Sequence, residues 1–310
     1  MNKRHNKRKF LLFLLAVLFL SFCLIKYTVD FDNTPVPITV NVPDINQETA
    51  VQFAVIGDFG WNSQSAQAVA DLVLSWQPDF IITTGDNNYP DGSAETLKAN
   101  VDQYYGDYIA DGRFFPSLGN HDGYTNDAQP YLDFFPISES KANTGSSNNE
   151  RYYDFVQGPI HFFVLDSTTN TPDGATAESI QAQWLKTQVA ASSSPWQVVY
   201  FHHPPYSSGV HGSSDWMQWP FAQWGIDVVF SGHDHDYERL VINGLPYFVN
   251  GLGGRSIRRF NYPILGSQVR FNDDYGAMLI TADSSNMIVE FHAVTNRGTL
   301  IDRYLLTDGE

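Results

Sequence analysis

The sequence predicts an α/β fold, and three observations lead to this prediction. Apolar runs of strand length recur through the first two thirds of the 310 residues. Amphipathic segments of helix length lie between them, and the final third returns to short strand-like runs. Alternation of strands and helices is typical of central sheets with helices packed against them.

The predicted strands share one pattern, in which an apolar run ends in a polar cluster that contains Gly or His. These runs do not alternate between apolar and polar residues, so they are expected to be buried on both faces. The five runs with their clusters are Val51–Ile56 before Gly57-Asp58, Phe80–Thr84 before Gly85-Asp86, Phe114–Leu118 before Gly119-Asn120, Val198–Phe201 before His202-His203, and Val228–Ser231 before Gly232-His233.

Two helices are predicted between the strands. Ser63 can cap a helix that runs to about Trp76. The side chains on one face of this helix are expected to face the core, and they are Ala66, Val69, Ala70, Val73 and Leu74. A second helix is predicted over 177–191, with Ile180, Trp184, Leu185 and Val189 facing the core. The final third predicts a second sheet packed on the first, with strands at Leu240–Ile242, Pro246–Asn250, Tyr275–Ala282, Met287–Val294 and Thr299–Leu306.

The N-terminus has the layout of a targeting segment. Basic residues precede an apolar run over Phe10–Ile25, as in a secretory signal or an N-terminal membrane anchor. We therefore predict such a segment over 1–26, a Pro-containing linker over 27–49 and one main domain over 50–310. The protein is expected to be periplasmic, extracellular or anchored to the outer face of a membrane. Cys23 is the single cysteine, so the domain has no internal disulfide.

The negative net charge of the chain argues against a protein that binds nucleic acid over a large surface. The formal net charge is −16, and six of the 18 Lys and Arg residues precede the first acidic residue, Asp30. The rest of the chain has 12 basic and 34 acidic residues, and such a body repels DNA, RNA and anionic membranes. Membrane attachment is expected only through the N-terminal apolar segment, and the oligomeric state stays open.

The residues that follow the strands predict a metal site. Loops at the carboxyl ends of strands gather in one crevice of an open α/β sheet. Asp58, Asp86, Asn120, His202, His233 and His235 are therefore expected to converge. One Gly-Asp pair after one strand is usually a turn, but five strands in series that each end in a possible ligand favour a metal centre.

The ordered motifs resemble the purple acid phosphatase family of the metallophosphoesterase, or calcineurin-like, superfamily. They are Gly57-Asp58-Phe59-Gly60, Gly85-Asp86-Asn87-Asn88-Tyr89, Gly119-Asn120-His121-Asp122, His202-His203-Pro204 and Gly232-His233-Asp234-His235. Most of the superfamily has a His where this chain has Gly60, whereas purple acid phosphatases supply a Tyr that corresponds to Tyr89. The missing ligand and its replacement occur together, and the chain resembles the small, single-domain form of the family.

The resemblance implies both the architecture and the ligands. The fold would be a four-layer αββα sandwich of two mixed sheets flanked by helices, with 50–310 as the catalytic domain. One metal ion would be bound by Asp58, Tyr89 and His235, the other by Asn120, His202 and His233, and Asp86 would bridge the two. Hard anionic donors suit Fe(III), and imidazoles with an amide oxygen suit divalent Fe, Zn or Mn.

The implied activity is acid phosphatase activity on a small phosphorylated substrate, with a metal-bound hydroxide as the nucleophile. The resemblance assigns substrate contacts to Asn120, His121 and His211, and makes the two histidines candidates for protonating the leaving group. His203 is expected to point to the opposite face. The alternatives are a phosphodiesterase that acts on nucleotides or headgroups with the same metals, and a non-enzymatic phosphate-binding protein.

Overall fold

Thirteen strands form two β-sheets in the part of the chain that the structure describes. The structure is a computed structural model and describes residues 45–135, 147 and 150–308. The first sheet contains β1 to β3 and β11 to β13, which are Val51–Ile56, Phe80–Thr83, Phe114–Pro116, Gly276–Ala282, Asn286–Ala293 and Thr299–Thr307. The second contains β4 to β10, which are Tyr153–Gln157, Ile160–Val164, Trp196–Tyr200, Val228–Ser231, Tyr237–Ile242, Leu245–Asn250 and Ser267–Phe271.

Both sheets are mixed. The first has the strand order β13-β12-β11-β1-β2-β3, with β1, β2 and β3 parallel. The second has the order β10-β8-β9-β7-β6-β5-β4, with β5, β6, β7 and β9 parallel. The prediction that the final third forms a sheet of its own is wrong, because β8 to β10 extend the second sheet and β11 to β13 extend the first. An apolar run indicates a buried strand without specifying its neighbour.

The main core lies between the two sheets and is rich in aromatic rings. Phe162 of β5 packs edge-on against Phe53 of β1 and Phe80 of β2, at centroid distances of 5.2 and 5.5 Å. Phe155 of β4 stacks on Phe162 at 4.8 Å. Such pairs add about 0.5–1.5 kcal/mol each to the burial of their surface.

Helices cover the outer faces of both sheets. Their bounds are Gln64–Ser75 for α1, Ala94–Leu97 for α2, Gln103–Ala110 for α3, Gln129–Phe134 for α4, Ile180–Ala191 for α5 and Phe221–Trp224 for α6. A π-helical turn, Lys98–Asp102, joins α2 to α3. Shorter 3-10 turns are Asn126–Ala128, Asp215–Met217 and Thr295–Arg297. Helices α1 and α3 pack on the first sheet and α5 on the second, which confirms the αββα sandwich.

Both predicted helices are present, but the start of the second helix and the orientation of two side chains differ from the prediction. The hydroxyl of Ser63 accepts a hydrogen bond from the Ala66 amide and caps α1, as predicted. Helix α5 begins at Ile180, three residues later than predicted, because Ser179 caps it. Ile180 is then the first helical residue and is 66% exposed, so its predicted inward orientation is wrong. Leu74, also predicted to face the core, is 38% exposed near the end of α1.

The predicted targeting segment over 1–26 and most of the predicted linker over 27–49 lie outside the described residues. The described part starts with a turn, in which the Asn46 amide donates to the Asp283 carboxylate at 2.8 Å. Among the described residues, none of the helices has both the length and the apolar character needed to cross a membrane.

Candidate metal centre

The ends of five strands bring the predicted metal-binding residues to one place. Asp58 follows β1, Asp86 follows β2, Asn120 follows β3, His202 follows β6 and His233 follows β7. The backbone is left-handed at Asp58, Asp86 and His233, with φ of 55°, 51° and 70°. This conformation costs an L-residue about 1–2 kcal/mol. It persists where the surrounding structure over-determines it, which is typical of functional sites.

One half of the centre, the tyrosine group, consists of Asp58, Tyr89 and His235. The phenol oxygen of Tyr89 lies 3.0 Å from Oδ1 of Asp58 and 3.4 Å from Nε2 of His235. Nε2 of His235 is 3.3 Å from the same oxygen of Asp58. All three side chains are buried, and their donor atoms face one another.

The other half, the asparagine group, consists of Asn120, His202 and His233. Nε2 of His202 lies 3.1 Å from Oδ1 of Asn120 and 3.1 Å from Nδ1 of His233. His202 is fully buried. Its Nδ1 is 2.8 Å from the Thr84 carbonyl oxygen, so Nδ1 carries a proton and Nε2 is the ring nitrogen that faces the centre.

Asp86 stands between the two groups. Its Oδ2 lies 2.8 Å from the phenol oxygen of Tyr89. Its Oδ1 lies 3.4 Å from Nε2 of His202 and accepts a hydrogen bond from the His121 amide at 2.9 Å. One carboxylate oxygen therefore faces each group, which is the arrangement of a bridging ligand.

The donor atoms fit two metal ions. Ligands that surround one ion at about 2.0–2.2 Å are about 2.9–3.5 Å from one another, and the distances within both groups are of this size. Asp58, Asp86 and His202 also form a cluster whose ligand atoms lie within 4.8 Å of one another. Among the described residues, no Lys or Arg forms an ion pair with Asp58 or Asp86. Buried carboxylates need a cation.

The pKa of Tyr89 points to the same need for positive charge, and those of Asp58 and His233 show which forms of these side chains are favoured. Burial, together with the charges of Asp58 and Asp86, raises the pKa of Tyr89 well above its ordinary value, so a phenolate there needs a cation. Although burial opposes ionisation, the bond to His235 and the charges of His235 and His202 lower the pKa of Asp58. Burial and the neighbouring imidazoles lower the pKa of His233, which leaves that ring neutral and able to bind a metal.

The structure leaves no room for a side chain at position 60. A Cβ atom at position 60 would lie 1.9 Å from the carbonyl oxygen of Asn87 and 2.4 Å from the amide nitrogen of Asn88. The Gly60 carbonyl also accepts a hydrogen bond from the Tyr89 amide at 2.8 Å. The loop that presents Tyr89 therefore occupies the space that a side chain at position 60 would need.

Asp122 ties the loops after β2 and β3 together. Its buried carboxylate accepts hydrogen bonds from the amides of Asn87, Asn88 and Gly119 at 2.9–3.1 Å and from the Asn87 side chain at 2.8 Å. Burial and the charge of Asp86 raise its pKa to about 7. In the tyrosine group, the hydroxyl of Ser256 bonds Nδ1 of His235. No motif in the sequence indicates this Ser256 contact.

Comparisons with known proteins identify the family of the chain. The calcineurin-like phosphoesterase family matches residues 51–237. The chain belongs to this family. Purple acid phosphatase 15 of Arabidopsis thaliana is 29% identical over 227 residues, which cover 61% of this chain and 40% of that protein. Tartrate-resistant acid phosphatase type 5 of Homo sapiens is 24% identical over 239 residues, which cover 66% of this chain and 73% of that protein.

A solved structure is similar in fold. The purple acid phosphatase from yellow lupin (Lupinus luteus) seeds superposes with a TM-score of 0.67 at 17% identity, over 83% of this chain and 54% of that one. This likeness concerns the fold alone. The chain spans about half the length of three of the plant purple acid phosphatases that it matches.

In this calcineurin-like phosphoesterase, His121 and His211 border the centre. Nδ1 of His121 bonds the Pro90 carbonyl oxygen, which places the proton there and directs Nε2 to within 3.9 Å of Asp86. The His211 amide donates to the Asp234 carboxylate at 2.9 Å, and the ring stands 4.5 Å from that of His233. Burial lowers the pKa of His211; Asp234 opposes this effect and the charge of Arg258 adds to it.

His203 also lies beside the centre, and the prediction that it points to the opposite face is wrong. Its ring is 4.5 Å from that of His233 and 4.9 Å from that of His202. Its Nδ1 lies 3.0 Å from the hydroxyl of Ser167. Strand β6 ends at Tyr200, so the alternation of side chains along a strand no longer applies at position 203.

Proposed function

We propose that this chain hydrolyses phosphate monoesters at a centre of two metal ions. The observation that carries the proposal is the position of Asp86, with one oxygen toward the tyrosine group and the other toward the asparagine group. The tyrosine group would hold Fe(III), because its donors are hard and anionic. The asparagine group would hold divalent Fe, Zn or Mn, and Asp86 would bind both ions.

The side chains around the centre have separate tasks. Two bound metal ions supply Lewis-acid chemistry to a phosphate ester. Asn120, His121 and His211 contact the phosphate. His121 holds its Nδ1 proton on the Pro90 carbonyl, so in the imidazolium form Nε2 carries the second proton and is the atom that delivers it to the leaving oxygen, which leaves a neutral ring. His211 is held by its backbone bond to Asp234 and presents its ring beside His233 to the substrate.

The preference for monoesters is tested with a matched pair of substrates. The purified protein, reconstituted with iron plus zinc or manganese, is assayed with p-nitrophenyl phosphate and with bis-p-nitrophenyl phosphate. We expect faster turnover of the monoester. Faster turnover of the diester would establish the phosphodiesterase instead. No hydrolysis of either ester, with fewer than two metal ions per chain, would support a non-enzymatic protein.

The metal assignment is tested by visible absorption. Tyrosinate bound to Fe(III) gives a charge-transfer band, so the iron-loaded protein is expected to be coloured. Tyr89→Phe removes the phenolate and should abolish the band. Tyr105→Phe is the matched control, because Tyr105 is equally buried but packs between Phe59 and Phe114. A band that persists in Tyr89→Phe, or an active colourless enzyme, would refute the Fe(III) assignment.

We also propose that the protein is exported. Basic residues followed by the apolar run Phe10–Ile25 support this proposal. Fractionation of cells that express the full chain, followed by determination of the mature N-terminus, tests it. Recovery of the intact chain in the cytosol would contradict export, and an intact N-terminus in the membrane fraction would identify an anchor.

A further inference from the structure

Tyr124 is an exposed aromatic residue at the edge of the centre. Its side chain is 63% exposed, although large apolar rings are usually covered. The residue is not one of the proposed metal ligands, but it lies against two residues of the site. The centroid of its ring is 5.0 Å from that of His121, in an edge-to-face arrangement at 63°.

The hydroxyl of Tyr124 also holds Asn120. The Asn120 amide nitrogen donates to this hydroxyl at 2.8 Å, while Oδ1 of the same amide faces Nε2 of His202 at 3.1 Å. Tyr124 therefore holds the amide nitrogen of Asn120 and leaves Oδ1 facing His202. The phenol ring is fixed in return, since an exposed tyrosine without such a bond would rotate freely.

The ring thus stands one side chain away from the place where the phosphate would be held. His121, the residue assigned to protonate the leaving oxygen, lies directly beside it. If His121 protonates the leaving oxygen, the remainder of the leaving group is expected to lie close to His121 and Tyr124. An aromatic leaving group could stack on the exposed face of Tyr124, whereas a short polyol has no ring for such stacking.

We propose that Tyr124 forms a leaving-group subsite that favours phosphate monoesters of aromatic alcohols over those of aliphatic alcohols. This inference rests on the proposed function of the centre. An aromatic pair contributes about 0.5–1.5 kcal/mol. Tyr124 is therefore expected to raise the preference for an aryl ester by about 2- to 12-fold in kcat/KM. Its hydroxyl makes it a positioning residue for Asn120 as well.

The two roles separate in two variants of the reconstituted holoenzyme. The assay compares kcat/KM for phenyl phosphate with kcat/KM for glycerol 2-phosphate, so that intrinsic reactivity cancels between variants. Tyr124→Ala should lower the ratio by about 2- to 12-fold, mostly through KM for phenyl phosphate. Tyr124→Phe keeps the ring and should retain the ratio, while kcat falls for both esters because Asn120 loses its partner. The control is Ile180→Ala, which removes another exposed apolar side chain, at the first residue of α5. It should change neither the ratio of kcat/KM values nor kcat.

Binding provides a test that needs no turnover. Calorimetry with phenylphosphonate and methylphosphonate should show that Tyr124→Ala weakens the first ligand and leaves the second within about 2-fold. Equal losses for both esters and both phosphonates would overturn the subsite and leave Tyr124 with a structural role only. A wild-type enzyme that hydrolyses neither ester but binds phenylphosphonate through Tyr124 would retain the subsite and refute the hydrolytic function.

Discussion

Replacement of Asp122 by Ala should destabilise the fold and release metal in one step. The fully buried carboxylate accepts four hydrogen bonds from Asn87, Asn88 and Gly119. A net contribution of about 1 kcal/mol per bond gives a loss of about 4 kcal/mol, and the donors left without partners add to it. In Asp122→Asn, a carbonyl at the position of Oδ2 would keep three of the four bonds, so a loss of about 1–2 kcal/mol is expected.

The stability of the fold and the metal content are measured on the same purified protein. Urea denaturation gives the free energy of unfolding, and metal analysis after dialysis gives the ions retained per chain. The experiments are run at pH 8, above the pKa of about 7 that burial and Asp86 impose on Asp122, so that the carboxylate is ionised in the wild type. The loss of metal is expected because Asp122 joins the loops that present Asp86 and Asn120.

Asp283→Ala is the matched control. Asp283 is also buried and accepts backbone hydrogen bonds from Asn46, Ser285 and Asn286, all at 2.8 Å, in a distant turn. It should lower stability and leave the metal content unchanged. A stability of Asp122→Ala within about 1 kcal/mol of the wild type would refute the hydrogen-bond reasoning. Full metal retention in that variant would refute the role of Asp122 in joining the loops.

Three further predictions concern the support of the centre and the stability of the fold. Gly60→Ala should displace the loop that carries Tyr89, since a Cβ at position 60 would lie 1.9 Å from the Asn87 carbonyl oxygen. The visible band of the iron-loaded protein should therefore weaken. An unchanged band would contradict the steric argument. Burial raises the pKa of Asp227 to about 6, so its ionisation destabilises the fold as pH rises from about 4 through 6. Asp227→Asn should therefore stabilise the protein at pH 8 and not below pH 4. Urea denaturation at both pH values measures the change in the free energy of unfolding. An equal gain in stability at both pH values would exclude ionisation as the cause. Phe162→Ala should cost about 3–5 kcal/mol of unfolding free energy, because the fully buried ring of this second-sheet residue packs against Phe53 and Phe80 of the first sheet. A loss below about 1 kcal/mol would show that the core closes over the cavity.

Local patterns were enough to predict most of the strands and two of the helices in the described part of the chain. The five strands of the repeated pattern lie within about two residues of their predicted bounds, since a non-alternating apolar run can be satisfied only by burial on both faces. The capping hydroxyl of Ser63 likewise depends on residues within one helical turn. The predicted inward orientation of Ile180 is wrong because the start of the helix depends on which of several nearby residues caps it, and Ser179 is the residue that does so.

The sequence by itself determined that ligand-type side chains follow successive buried strands, and that Gly60 and Tyr89 occur together. Those statements depend on residue identity and order along the chain. Tertiary structure decided which strands pair, and hence that the final third divides between both sheets. It also decided that His203 turns toward the centre and that Tyr124 reaches Asn120. Contacts of this kind depend on where the chain turns after each strand ends, and the spacing of residues does not specify that direction.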